Sequence, residues 1–220
     1  MTMDLVAYLK ELRDNNIDLS AEIYAYHCKV DVARVDSLKK RIIEVRKIDA
    51  KTHKLKRRKA FKGKQARHLG LLLERLMRLF VDGCNCISVG SNVRSTSAEI
   101  DFLLQFKPEA TTFPMFRDAG THGIGEVKCV NGALKTEWIH ELAGLLPSHG
   151  ASLAIIFTAA PSKPVSSFNR SAIATHAAGG KKIVPFGMAQ VERVLGGENF
   201  LAVLADQYVQ ATAHTTKLVI

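Results

Sequence analysis

Apolar residues along this chain change their period several times, and each change predicts an element. Residues 3 to 14 put Leu5, Tyr8, Leu9 and Leu12 on one helical face, and Asn15-Asn16 breaks the pattern. Two further helices are expected over 20–29 and 33–48, with a tight turn at Val30-Asp31 between them. From Lys64 to Phe80 the residues Leu69, Leu72, Leu73, Leu76, Leu79 and Phe80 recur at helical spacing, predicting a long core-facing helix that ends at Val81-Asp82-Gly83. The period then shortens. Residues 84–89 and 97–104 read as strands, as do 123–130, the uninterrupted apolar run 152–158, and 182–186. Helices are expected between and after them, over 136–146 with Thr136 as its cap, 171–178, 188–195 and 200–210, with a polar loop at 162–170. Strands alternating with helices predict an α/β sandwich around a mixed sheet.

Two of these strands carry charge inside an apolar run. The first reads Ser97-Ala98-Glu99-Ile100-Asp101-Phe102-Leu103-Leu104, and the second Gly123-Ile124-Gly125-Glu126-Val127-Lys128. Side chains alternate across a sheet, so Glu126 and Lys128 share a face, and Asp101 leaves the face of Ile100, Phe102 and Leu104. If the strands pair, two carboxylates and an ammonium converge. Such carboxylates repel unless a cation lies between them, and hard oxygen ligands suit Mg²⁺ or Mn²⁺. A neighbouring lysine can orient a water toward a phosphodiester. The bland reading of the same residues is an ion pair between Glu126 and Lys128 at a sheet edge, which would contribute little stability.

Composition narrows the partner. A chain of 220 residues with 47% hydrophobic and 24% charged residues can bury a sizeable core. Its net charge of +10 favours a polyanion, nucleic acid before membrane. The basic residues cluster. No acidic residue lies between Asp49 and Glu74, a stretch that holds Arg57, Arg58, Lys62, Lys64 and Arg67 among others. This block reads as a solvated linker and domain boundary or as a set of sequence-independent phosphate contacts. Ala25, Val30, Val35 and Leu38 fall where a helix-turn-helix buries its small residues, with Arg34, Lys39, Lys40 and Arg41 on its second helix. A small helical module that packs on the core or makes a dimer contact is the better reading of them, since Lys29 stands where such a turn prefers glycine. The four cysteines form no C-x-x-C pair and indicate neither a disulfide framework nor a zinc ribbon. With an acidic Asp4 near the start and no run of membrane-spanning length, a cytoplasmic location is expected. The connection from Gln105 to Gly125 is expected to be a long irregular loop that places Arg117 and His122 near nucleic acid.

At Ser97-Ala98-Glu99-Ile100-Asp101 and Glu126-Val127-Lys128 the chain resembles the PD-(D/E)xK nuclease superfamily, in particular its Mrr-like branch. Lys62-Gly63-Lys64 followed by Leu73-Glu74-Arg75-Leu76 is similar to that family's leading helix. No proline precedes Asp101, and the connection to Glu126 is longer than the pattern. The resemblance implies a restriction-endonuclease-like αβα sandwich over residues 59–220, preceded by a helical module with a basic linker over 1–58. It implies a metal-dependent endonuclease that hydrolyses DNA to 5′-phosphate ends. Asp101, Glu126, Glu74 and the Val127 carbonyl would hold Mg²⁺ or Mn²⁺, Lys128 would position the water, and Glu141 would support Lys128. Arg94, Lys62, Lys64, Arg57, Arg58 and Arg117 would contact nucleic acid, and a homodimer would cut two strands. The alternative is a nucleic-acid-binding or regulatory protein that keeps the fold without catalysis.

Overall fold

The structure, a computed structural model, describes residues 14–15, 18–48, 55–94, 99–129, 134–159 and 167–213, with backbone only for 55–60, 91–94, 99, 167 and 168. The helix expected over 3–14 falls almost wholly outside them. Two helices open the described chain, α1 (Leu19–His27) and α2 (Val32–Lys47). Each starts at an aspartate that supplies an acceptor to an otherwise unpaired N–H: Asp18 accepts from Ser20, and Asp31 from Arg34. Val35 is buried and Val30 and Leu38 pack partly against the core, but Ala25 is exposed because the short α1 buries none of its residues.

The next helix, α3 (Leu55–Asp82), is longer than its apolar stripe. The basic block expected as a linker forms its first turns from Leu55 onward. Lysine and arginine are good helix formers, so a helix anchored downstream extends back through them. The anchor is the row Leu69, Leu72, Leu73, Leu76, Met77 and Phe80, all buried.

Five strands form one sheet in the order of the chain: β1 (Ile87–Arg94), β2 (Glu99–Phe106), β3 (His122–Lys128), β4 (Leu153–Thr158) and β5 (Lys182–Phe186). Strand β2 runs antiparallel to both β1 and β3, and β3, β4 and β5 are parallel to one another. Residues 84–86, expected within the first strand, lie before it, and Cys84 makes only an isolated antiparallel bridge to Cys28. Parallel strands need crossovers. These are α5 (Thr136–Leu145) and α6 (Ser167–Ala178), with the short α4 (Pro114–Arg117) before β3. Helix α6 begins at Ser167, inside the stretch expected to be a loop. Two helices close the chain, α7 (Met188–Leu195) and α8 (Phe200–Ala213).

Every residue of β4 is buried, as a strand covered on both faces requires. On one face Phe157 of β4 and Phe186 of β5 stack with Phe80 of α3 and Phe200 of α8. On that same face α3 comes so close to β3 that a Cβ built at Gly125 would lie 1.9 Å from Met77 Cε. Crossovers α5 and α6 pack together on the other side. Lys128 alternates away from the Phe157 side and meets Trp138 of α5. The described residues thus form an α/β fold with helices on both faces of a five-stranded mixed sheet. None of their helices is long and apolar enough to cross a membrane.

The expected long loop between β2 and β3 is largely structured. It contains a 3-10 turn, Pro108–Thr112, and α4, with Phe113, Met115 and Phe116 buried against the core. Apolar residues at that density in so short a connection pull it onto the protein and away from solvent.

Candidate active site at the opening of the central ladder

The register of β2 and β3 sets Phe102 opposite Gly125, Leu103 opposite Ile124, Leu104 opposite Gly123 and Gln105 opposite His122. The next rung would be Asp101 opposite Glu126, but the backbone ladder stops before it. Paired residues of an antiparallel sheet point to the same side. Asp101 and Glu126 therefore share the face opposite α3, joined by Lys128 two residues further on.

At this opening side chains replace backbone bonds. Asp101 Oδ2 accepts the Val127 N–H at 2.7 Å. Lys128 Nζ donates to Glu126 Oε1 at 2.7 Å, with the two side chains 26% and 15% exposed. The ammonium also lies 5.8 Å from the centre of the Trp138 ring. Trp138 is the chain's single tryptophan. The crossover geometry brings it over the lysine. Lys128 is thus held by a carboxylate and an aromatic face, and Glu141, expected as its support, is exposed.

The carboxylates are coupled. Burial raises the pKa of Glu126; the Lys128 hydrogen bond pulls it down, the Asp101 charge pushes it up, and the net shift is upward. Glu74, three residues before Met77 on α3, is also raised, by burial first and by the Asp101 charge second. Asp101 is therefore the common electrostatic neighbour of an acid on its own sheet face and an acid from the helix behind the sheet. Glu126 and Glu74 resist ionising chiefly because they are partly buried, and the Asp101 charge adds to that resistance in each.

A divalent cation would relieve that repulsion, and the donor set is hard oxygen only, which fits Mg²⁺ or Mn²⁺. Among the described residues, however, no group of three or more His, Cys, Asp or Glu side chains is close enough together to form a ready cage for an ion. The arrangement provides one or two carboxylate ligands at a time. That is compatible with an ion that keeps several waters, as Mg²⁺ does.

The other expected site residues are dispersed. Lys62 and Lys64 are exposed on α3, about three turns before Glu74. Arg117 precedes β3 and forms a 3.7 Å ion pair with Asp118. It is at the opposite end of that strand from Glu126, as is His122, whose ring nitrogen bonds Thr121. The side chains of Arg57, Arg58 and Arg94 lie outside the described residues; the backbone of Arg94 pairs with that of Glu99. Sequence reasoning missed Asn169, which is buried and links the two crossover helices. It donates to the Leu134 carbonyl and accepts from the Thr136 hydroxyl at 2.8 Å. Thr136 therefore serves Asn169 and does not cap α5, whose cap position is Lys135. The only sequence signal was an asparagine between two apolar segments, which turns share.

Comparison with family models, with curated proteins and with solved structures returns no match.

Proposed function

We propose that the chain is a metal-dependent nuclease with a restriction-endonuclease-like core, hydrolysing phosphodiester bonds in DNA. The observation that carries this reading is the opening between β2 and β3. There Asp101, Glu126 and Lys128 share one face, and the Asp101 charge reaches both Glu126 and Glu74. Glu126 and Glu74 are held up by burial first and by the Asp101 charge second, which costs the fold stability, and a bound divalent ion would offset that cost.

In this reading Asp101 and Glu126 hold Mg²⁺ or Mn²⁺ with the Val127 carbonyl, and Glu74 assists from α3. The ion would supply charge neutralisation of the phosphate and acidify a bound water. The chain's own contribution is positional. Asp101 is fixed by the Val127 N–H through one oxygen, and its second oxygen would serve the ion. Lys128, steadied by Trp138, can leave Glu126 for the water or a phosphate oxygen and offset the charge that grows as water adds to phosphorus. The new P–O bond forms as the bond to the leaving 3′-oxygen breaks, leaving a 5′-phosphate. Lys62 and Lys64 belong to the surface that meets the nucleic acid, and a dimer would allow both strands to be cut.

One observation favours a second reading, a nucleic-acid-binding protein without catalysis: Lys128 is already neutralised by Glu126, and the described residues contain no ready metal cage. Plasmid incubation with Mg²⁺ or Mn²⁺ separates the two. Under the first reading the wild type nicks or linearises the plasmid while Asp101→Ala and Lys128→Ala bind it and leave it whole. Equal cutting by all three, or none by the wild type, removes the nuclease reading.

A further inference from the structure

Helices α2 and α3 pack side by side and leave between them two adjoining clefts, of about 570 and 280 Å³, which share Arg75 as a wall. Their basic lining comes from both helices: Arg34 and Arg41 from α2, and Lys64, Arg67, Arg75 and Arg78 from α3. All six are exposed. The spacing is not random. Arg34 and Arg41 are two turns apart on α2, and the four α3 residues step by three, eight and three, with Leu71 filling the intermediate position. Each set is one stripe on its helix, and the two stripes line a common groove.

Among the described residues one acid, Asp82, lines these clefts, and it bonds Arg78 at 3.1 Å. Elsewhere α2 neutralises its cations with acids outside the groove: Lys39 meets Glu192 of α7 and Lys40 meets Asp36, each at 2.6 Å. Like charges aligned on one helix face and set against more on the next destabilise the packed pair. An anion shared by both helices removes that penalty.

We infer that the α2–α3 groove is a docking surface for the phosphate backbone of duplex DNA. The α3 stripe from Lys64 to Arg78 spans about 21 Å at 1.5 Å per residue, which matches about six base steps at 3.4 Å each. Among the described residues the lining contains no Phe, Tyr or Trp, and its one aromatic ring is the His68 imidazole. With a single small ring among six cations, the groove favours a paired strand held by its phosphates over a single strand stacked base by base. Guanidinium groups provide forked donors suited to phosphate oxygens. Glu74 lies within about 40° of Arg67 and Arg78 around α3, so the groove borders the carboxylate cluster on one continuous helix. This surface deepens the nuclease reading by naming its substrate class, but it requires no catalysis.

The test is fluorescence anisotropy of a labelled duplex in EDTA, where cutting is suppressed, at about 50 and 200 mM salt. Full-length wild type is compared with Arg67→Ala/Arg75→Ala and with Arg67→Lys/Arg75→Lys, whose circular dichroism checks folding. The alanine pair should weaken binding at least about tenfold at the lower salt and flatten the slope of log affinity against log salt by about two, one per lost phosphate contact. The lysine pair should keep most of the slope. A single strand of equal length should bind more weakly than the duplex. Unchanged affinity and slope in the alanine pair overturn the groove, as does binding to phosphatidylserine vesicles without binding to duplex. Cutting that is lost in Asp101→Ala while the alanine pair binds duplex normally sinks the groove and leaves the nuclease reading. Groove-dependent binding by a wild type that never cuts does the reverse.

Discussion

The Asp101 carboxylate accepts the Val127 N–H at 2.7 Å, intercepting a donor that the sheet would otherwise use. Phe106 N–H bonds the Thr121 carbonyl, so the hydrogen-bonded pairs of β2 and β3 fall at every second residue, and a continued ladder would give the Val127 N–H to Ile100. Asp101 takes that place. The exchange opens the sheet by one rung at the Glu126 position and leaves the aspartate's second oxygen outside this bond. Asp101→Asn retains an acceptor for Val127 but loses the charge. It should fold with wild-type stability in urea while weakening Mn²⁺ binding by an order of magnitude or more, as read by calorimetry. Asp101→Ala leaves the N–H without that acceptor and should cost about 1–3 kcal/mol in the same unfolding experiment.

Raised carboxyl pKa values make a pH prediction with a definite sign. Glu126 and Glu74 lie above the ordinary value of 4.5 in the folded chain. Between 4.5 and each raised value the folded state binds more protons than the unfolded state, so stability falls as pH rises through that window. Thermal melts without divalent ions should show Glu126→Gln gaining on the wild type as pH rises through that window. Adding Mg²⁺ or Mn²⁺ should raise the wild-type melting temperature above the window and do little below it, where protons compete with the ion. A wild type that melts identically with and without ions at pH 7 would count against the metal site.

Gly125 lets α3 approach the sheet. An added Cβ would meet the flexible end of Met77 and, at 3.2 Å, the Cβ of Phe102. Gly125→Ala should therefore destabilise by about 1–3 kcal/mol through overpacking. Met77→Ala in the same background should recover part of that loss by making room. Because Met77 and Glu74 sit one turn apart on α3, the glycine variant should also weaken divalent-ion binding without touching a ligand.

Asn169 ties α6 to the start of α5 through the Leu134 carbonyl and the Thr136 hydroxyl. It is buried, so Asn169→Ala strands polar groups and should cost about 2–3 kcal/mol. The Lys128 ammonium leans on Trp138 of α5, so a loosened α5 should appear as altered tryptophan fluorescence before global unfolding.

The four thiols should divide by burial. Cys129 is exposed, while Cys28, Cys84 and Cys86 are buried, and burial pushes the Cys86 thiol up to about 11. A thiol reagent at pH 8 should titrate one group quickly and three more only on denaturation. Rapid reaction at more than one thiol would contradict the packing of α1 against the end of α3.

The amino-acid sequence determined the elements whose identity rests on local periodicity. The leucine row of α3, the apolar run of β4, and β5, α7 and the start of α8 appear where the pattern puts them, because a period of 3.6 or an unbroken apolar run decides burial without knowledge of neighbours. Alternation also placed Glu126 and Lys128 on one face and turned Asp101 away from Phe102. The sequence could not decide what lies across from those residues. Packing alone folded Phe113 and Phe116 of the expected loop into the core, sent Arg117 to the far end of β3, and laid Trp138 over Lys128. These outcomes depend on contacts between residues distant along the chain, and the energy of such contacts has no signature in local spacing. The rung missing between Asp101 and Glu126 is of the same kind: the sequence supplied the charges, and the register of two strands brought them together.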